Sequence, residues 1–201
     1  FGTATDGRSE VMAALAGTGL PDGGEGLDRS FRPDITLADN ETVSGASWTL
    51  RALHTPGHLG AHLCFAAQDV LFSGDHVMEW STSIVAPPDG DMSDYMASLH
   101  RLTSEPWALM LPGHGEQIDA PARRLQTLIE HRTGREAQIH AALQDGPADA
   151  TMLALRLYAG LAPKLHSAAR ANVLAHLIDL QRKGLVQARM PLTSTTIFAA
   201  I

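Results

Sequence analysis

The sequence predicts a mixed α/β (α+β) chain in two modules, and three features carry that expectation. Residues 34–73 run as short segments with alternating apolar side chains between tight turns, the pattern of a β-meander. From residue 91 the apolar spacing changes to threes and fours, the period of a helix. Residues 148–201 place two helical patterns ahead of two short strands.

Taken in order, the Ala-rich stretch 8–19 suits a helix, and 20–33, punctuated by Gly and Pro, reads as a loop. Strands are expected at Asp34–Leu37, Thr42–Val43, Ser47–His54, His62–Phe65 and Asp69–Ser73, the last ending at Gly74. Asp91–Ser104 reads as a helix because Met92, Tyr95, Met96, Leu99 and Leu102 share a face, with Asp91 or Ser93 as its cap. Trp107–Leu111 is a short apolar strand stopped by Pro112-Gly113. Pro121 suits the first turn of a long helix over 121–144, because its missing N–H costs nothing there, and Gly146-Pro147 ends it. Ala148–Ala159 and His166–Lys183 are two further helices, with Gly184 closing the second. Leu185–Ala188 and Thr195–Ala199 form a hairpin, which completes the order of a winged helix. The expected divisions are 1–120, a connecting helix at 121–147, and a small module at 148–201.

Charge follows the same division. Residues 1–120 carry 17 acidic and 5 basic side chains, residues 121–201 carry 5 and 10, and the net charge is −7. A modestly basic second module is compatible with an anionic partner, but also with an ordinary solvated surface. No apolar run approaches the length of a membrane span, so no membrane partner is expected. The lone Cys64 rules out an internal disulfide, sits in an apolar run and reads as a buried strand residue rather than a nucleophile. A cytoplasmic location is the expectation.

Three segments carry the chemistry: Thr55-Pro56-Gly57-His58, Phe72-Ser73-Gly74-Asp75 and Leu111-Pro112-Gly113-His114-Gly115. In each, a His or Asp follows a glycine just beyond an apolar strand. The strand supplies rigidity, the glycine lets the backbone turn, and the side chain projects from the sheet edge. Neutral imidazole suits zinc, and a carboxylate can bridge two cations.

In this order the three segments resemble the metallo-β-lactamase superfamily. The stretches 94–99, 131–136, 165–166 and 172–177 are similar to its β-lactamase-like protein 2 branch, which adds a winged-helix domain. The resemblance implies an αββα sandwich and two zinc ions. His58 would hold one metal, Asp75 would bridge both and act as the catalytic carboxylate, and His114 would hold the second. Such a pair polarises a scissile bond and lowers the pKa of a water between the metals. The family's first motif, His-x-His-x-Asp-His, is absent from residues 1–57, where His54 is the only histidine. The expectation is therefore a sandwich truncated at its N-terminus, an incomplete metal site in this chain alone, and a further N-terminal segment of the same protein that supplies the other ligands; the alternative is a degenerate, non-catalytic homologue that kept the fold and lost the motif.

The implied activity is zinc-dependent hydrolysis of an ester, thioester, amide or lactone. The alternative is a metal-dependent endoribonuclease that uses the basic second module. A small-molecule substrate is expected ahead of RNA. The second module serves as a lid or homodimer surface, with Arg170, Arg182 and Lys183 as its sparse basic face. His76 and Trp80 are candidates for the substrate pocket, with a structural role open for each. His62 reads as a core residue or one that orients a ligand, and His54 as packing. His131, Arg132 and Arg135 read as contacts between modules.

Overall fold

A computed structural model describes residues 2–3, 7–18 and 30–201. The expected helix at 8–19 is realised as α1 (Glu10–Ala16), capped by the Ser9 hydroxyl accepting from the Met12 N–H; most of the loop expected at 20–33 lies outside the described residues. Strands β1 (Thr42–Ser44), β2 (Thr49–His54), β3 (Leu63–Ala67) and β4 (Val70–Gly74) form an antiparallel meander. β5 (Leu109–Pro112) then adds parallel to β4. A parallel neighbour needs a crossover, and α2 (Met92–Leu102) provides it. Asp91 caps α2 by accepting from the Ser93 N–H at 3.0 Å.

One face of this sheet is dry. Leu53, Cys64, Leu71 and Met110 are buried against Tyr95, Leu99 and Leu102 of α2 and Leu125 and Leu128 of α3 (Pro121–Gln144). The register puts Phe65, Phe72 and Leu111 in one row on the opposite face. Phe72 is 43% exposed. Among the described residues, the αββα sandwich is thus represented by one β layer and one α layer.

The second module is α4 (Ala150–Leu157), a 3₁₀ turn at Pro163–Leu165, α5 (His166–Arg182) and the hairpin β6 (Val186–Ala188) and β7 (Phe198–Ala200). Its core joins Leu153, Val173, Leu177 and Phe198 to Ile139 and Leu143 from the far half of α3. α3 therefore belongs to both cores and fixes one module on the other. Met12 and Leu15 of α1 also enter this second core, although they stand at the other end of the chain.

Three expectations are corrected. The strand at 34–37 is reduced to an isolated bridge between Gly2 and Thr36, with Ile35 half exposed, because its backbone bonds go to Gly2 rather than to a strand of the sheet. Trp107 precedes its strand, because its backbone N–H turns back to the Glu105 carbonyl at 3.1 Å, while its indole N–H donates to the Leu102 carbonyl at 2.9 Å. The last strand starts at Phe198, because Thr193–Thr196 closes a turn in which the Thr196 hydroxyl accepts from the Thr193 N–H.

Candidate metal centre

The three ligand loops leave the same end of the sheet. The His58 loop follows β2 and is tied to α2: the Ser98 hydroxyl donates to the Pro56 carbonyl at 2.7 Å, and the Asp91 N–H to that of Gly57 at 2.8 Å. Gly57 has φ of +136°, and a Cβ there would sit 2.2 Å from the Tyr95 Cα. Only glycine lets this loop pass so close to the helix. The Asp75 loop follows β4, and the Gly113 N–H donates to the Gly74 carbonyl at 2.9 Å, which fixes the His114 loop beside it.

Asp75 and His114 meet. Nε2 of His114 lies 3.7 Å from Oδ1 of Asp75. That carboxylate oxygen is buried and, among the described residues, has no hydrogen-bond partner. His58 sits at the same edge, with its ring centroid 6.4 Å from that of His62 in an edge-on arrangement. Nδ1 of His58 is 2.6 Å from the Ile84 carbonyl. A carbonyl only accepts, so Nδ1 carries a proton, and in the neutral ring Nε2 keeps its lone pair. Among the described residues, no three His, Cys, Asp or Glu side chains close on one metal-sized position. Asp75 and His114 are thus brought together, with His58 on the same rim but not closed onto them.

The donor set still fits a divalent cation. It offers imidazole nitrogen with a fixed tautomer and a carboxylate oxygen whose bonding capacity is unspent, and an orphaned buried oxygen is costly unless something meets it. His58, Asp75 and His114 are the residues that would hold such an ion.

The neighbouring histidines do different work. His62 pairs through Nδ1 with the Thr55 hydroxyl at 2.9 Å. Burial, then the nearby His58 and His54, push its pKa down to about 3, so it stays neutral. His76, expected as a pocket residue, is instead fully buried. The reason is local: the His76 N–H turns back to the Ser73 carbonyl, so Asp75 faces the rim and the next side chain points inward. Its ring lies 4.6 Å from that of Tyr95 and 5.6 Å from that of His62. Burial above all holds its pKa well below that of a free imidazole. Trp80 is 69% exposed and overlies Gly115, the residue after His114. His54 is a packing residue, bonded through Nε2 to the Gly60 carbonyl. Cys64 is buried, and burial pushes its thiol up to about 12, which removes it as a nucleophile at neutral pH.

Two of the three basic side chains expected on the second module's face, Arg182 and Lys183 at the end of α5, are paired. Arg182 forks onto the Asp91 carboxylate at 2.8 and 2.7 Å, and Lys183 pairs with Glu136 at 2.6 Å and Asp179 at 2.8 Å. Arg132 and Arg135 make contacts between elements, as expected: Arg132 with Asn172 and Ser83, Arg135 with the Leu157 carbonyl and the Tyr158 ring. What sequence reasoning missed is Asn172, which holds the Val85 N–H behind His58, and Ser83, whose hydroxyl lies within reach of the Asp75 and His76 carbonyls. The available signal was a polar row, Asn172, His176 and Asp179, at helical spacing in a helix whose other buried residues are apolar.

Known proteins agree with this architecture. Residues 4–114 match the metallo-beta-lactamase superfamily, and residues 151–190 the beta-lactamase associated winged helix domain. The chain is 31% identical over 152 residues to the Beta-lactamase-like protein 2 homolog of Drosophila melanogaster, a match that covers 74% of this chain and 51% of that protein. It is 34% identical over 120 residues to the Atrochrysone carboxyl ACP thioesterase of Aspergillus fumigatus, covering 57% of this chain and 37% of that one. The chain therefore spans about half or less of the curated relatives it matches. A metallo-beta-lactamase family protein from Thermus thermophilus superposes with a TM-score of 0.73 at 28% identity, covering 85% of this chain and 55% of that one. A beta-lactamase domain protein from Burkholderia ambifaria shares the fold with a TM-score of 0.74 at 22% identity, covering 86% and 54%. Among the described residues no helix is long and apolar enough to cross a membrane. With more than half of its length matched, the chain belongs to the metallo-beta-lactamase superfamily and carries that family's associated winged helix domain after the hydrolase fold.

Proposed function

We propose that this chain is part of a metal-dependent hydrolase acting on an ester, thioester, amide or lactone, with two zinc ions as its cofactor. The observation that carries the reading is the Asp75 oxygen, buried and, among the described residues, without a hydrogen bond, facing His114 Nε2 across 3.7 Å. Two divalent cations at such a rim would polarise a carbonyl and make water a nucleophile at neutral pH. The chain's own part is to present Asp75 as the shared carboxylate, His114 and His58 as terminal donors, and Trp80 as a wall beside His114. The remaining ligands come from outside residues 1–57, which hold no His-x-His-x-Asp-His. A thioesterase among the relatives supports an acyl-transfer substrate. The ribonuclease alternative is not favoured, because two of the three basic side chains of the expected face, Arg182 and Lys183, are engaged in ion pairs.

The test is a hydrolysis panel with the full-length gene product: an acyl thioester, an aryl ester, a lactone and single-stranded RNA, each with and without chelator. Hydrolysis of one of the acyl substrates is expected, abolished by chelator, restored by zinc, and lowered about 100-fold or more by Asp75→Asn, because an amide is a poor bridging donor. Chelator-resistant turnover, or cleavage of RNA alone, would overturn the reading.

A further inference from the structure

We propose that the winged-helix module sets the metal ligands: Asn172 of α5, with Arg132 of α3, clamps residues 83–85 and through them orients His58 and Asp75. The inference rests on the metal-hydrolase reading and deepens it.

Residues 82–86 belong to neither helix, strand nor turn, so no ladder fixes their position. Side chains from the helices do so instead. Oδ1 of Asn172 accepts from the Val85 N–H at 3.0 Å and from Nη1 of Arg132 at 3.0 Å, while Nη2 of Arg132 donates to the Ser83 carbonyl. Arg132 is 1% exposed and Asn172 is 9% exposed, so water does not compete for these bonds. Just upstream, Arg124 holds the Met78 and Ser81 carbonyls at 2.7 and 2.6 Å.

Both outputs of the clamped segment are metal-site residues. The Ile84 carbonyl, between the two clamped residues, fixes the Nδ1–H tautomer of His58. The Ser83 hydroxyl, at the clamp's other end, lies within reach of both the Asp75 and the His76 carbonyl, and its single proton serves one at a time. Polar partners one bond behind a ligand fix its orientation and basicity. Here that layer is held by a helix of the second module, 87 residues along the chain from Val85. Asn172 and Arg132 are thus positioning residues, and the junction between modules is part of the metal site's design.

The experiment uses the full-length gene product and three variants. Asn172→Leu keeps the volume and removes the acceptor, Asn172→Asp keeps the acceptor beside Arg132, and Ser83→Ala removes only the hydroxyl. Zinc affinity is measured by competition with a chromophoric chelator. The tautomer of His58 is read by long-range ¹H–¹⁵N correlation on metal-free protein. Asn172→Leu is expected to weaken zinc binding about 10- to 100-fold and to turn His58 from one tautomer into a mixture, with Asn172→Asp restoring both. A folded Asn172→Leu protein with unchanged affinity and unchanged tautomer overturns the proposal. If that variant does not fold, Ser83→Ala decides: about a 10-fold loss of zinc affinity supports the clamp and no loss overturns it. A wild-type protein that takes up no zinc sinks the hydrolase reading, while the tautomer comparison still decides whether Asn172 sets His58.

Discussion

The fork between Arg182 and Asp91 joins the end of α5 to the start of α2, and removing it should loosen one module from the other. The Asp91 side chain is 5% exposed and that of Arg182 is 26% exposed. Burial works against the Asp91 charge, but the Arg182 fork, the Ser9 hydroxyl and the Ser93 N–H outweigh it and hold the carboxyl below the usual range. Arg182→Leu strands that carboxylate with only two of its donors. Breaking one partner of a buried pair costs roughly 3–5 kcal/mol, and the partial exposure of Arg182 puts this case near the lower end, at about 3 kcal/mol. For a protein of this size that is a fall in Tm of about 6–12 °C. Asp91→Asn keeps the cap and should cost about 2 kcal/mol; the double variant should lie about 2 kcal/mol below the sum of the single effects, because removing both partners strands no charge.

The assay is thermal unfolding followed by circular dichroism, repeated from pH 7 down to pH 2.5. A carboxyl whose folded-state pKa is depressed contributes stability above its unfolded value of 3.8 and loses it as pH falls through the folded value. The gap between wild type and Arg182→Leu should therefore be constant from pH 7 to about 5 and close below about 3.8. A Tm within a degree or two of wild type at pH 7 would refute the reasoning and reduce the fork to a solvated surface pair.

Two further outcomes follow from the same packing. His176 is 1% exposed, neither ring nitrogen has a partner, and burial first, with Arg132 and Lys183 next, pushes its pKa down to about 3; since the unfolded chain protonates this imidazole below about 6.5 and the folded one does not, it should cost about 1.4 kcal/mol of stability between pH 7.5 and 5.5, a slope that His176→Phe removes in pH-dependent urea titrations. Gly57→Ala places a methyl 2.2 Å from the Tyr95 Cα at a φ of +136°, so it should destabilise by more than about 3 kcal/mol and yield little folded protein, and a soluble variant with wild-type Tm would contradict the loop geometry.

Much of this molecule is legible locally because its punctuation is local. Pro121 and Gly146 bracket α3, whose bounds at 121–144 are those that spacing and breakers predict. The meander is readable because its turns are short and its inner face alternates, and the three ligand loops are readable because each needs a glycine beside the strand end. The expectations that fail are those decided by distant residues. Nothing near 34–37 says that its backbone will bond to Gly2 rather than to a strand of the sheet, with Ile35 exposed. Nothing near Met12 and Leu15 says that they will complete a core built from residues 139–198.

The candidate site divides the same way. His58, Asp75 and His114 are singled out by spacing, each after a glycine where a strand ends, and the structure places all three at one edge of the sheet. What aims them is set across chain separations of 40, 49 and 87 residues, in the bonds from Arg132 to Asn172 and Ser83 and from Asn172 to Val85. A mid-helix Asn, in one row with the buried His176 and Asp179, weakens the helix and must be satisfied if buried. Its Nδ2 donates back to the Ala168 carbonyl, which leaves Oδ1 free for the loop of the other module. That division of one amide between its own helix and the segment behind His58 gives a buried polar side chain its partners, and it is what the proposed role of the winged-helix module in aiming His58 requires.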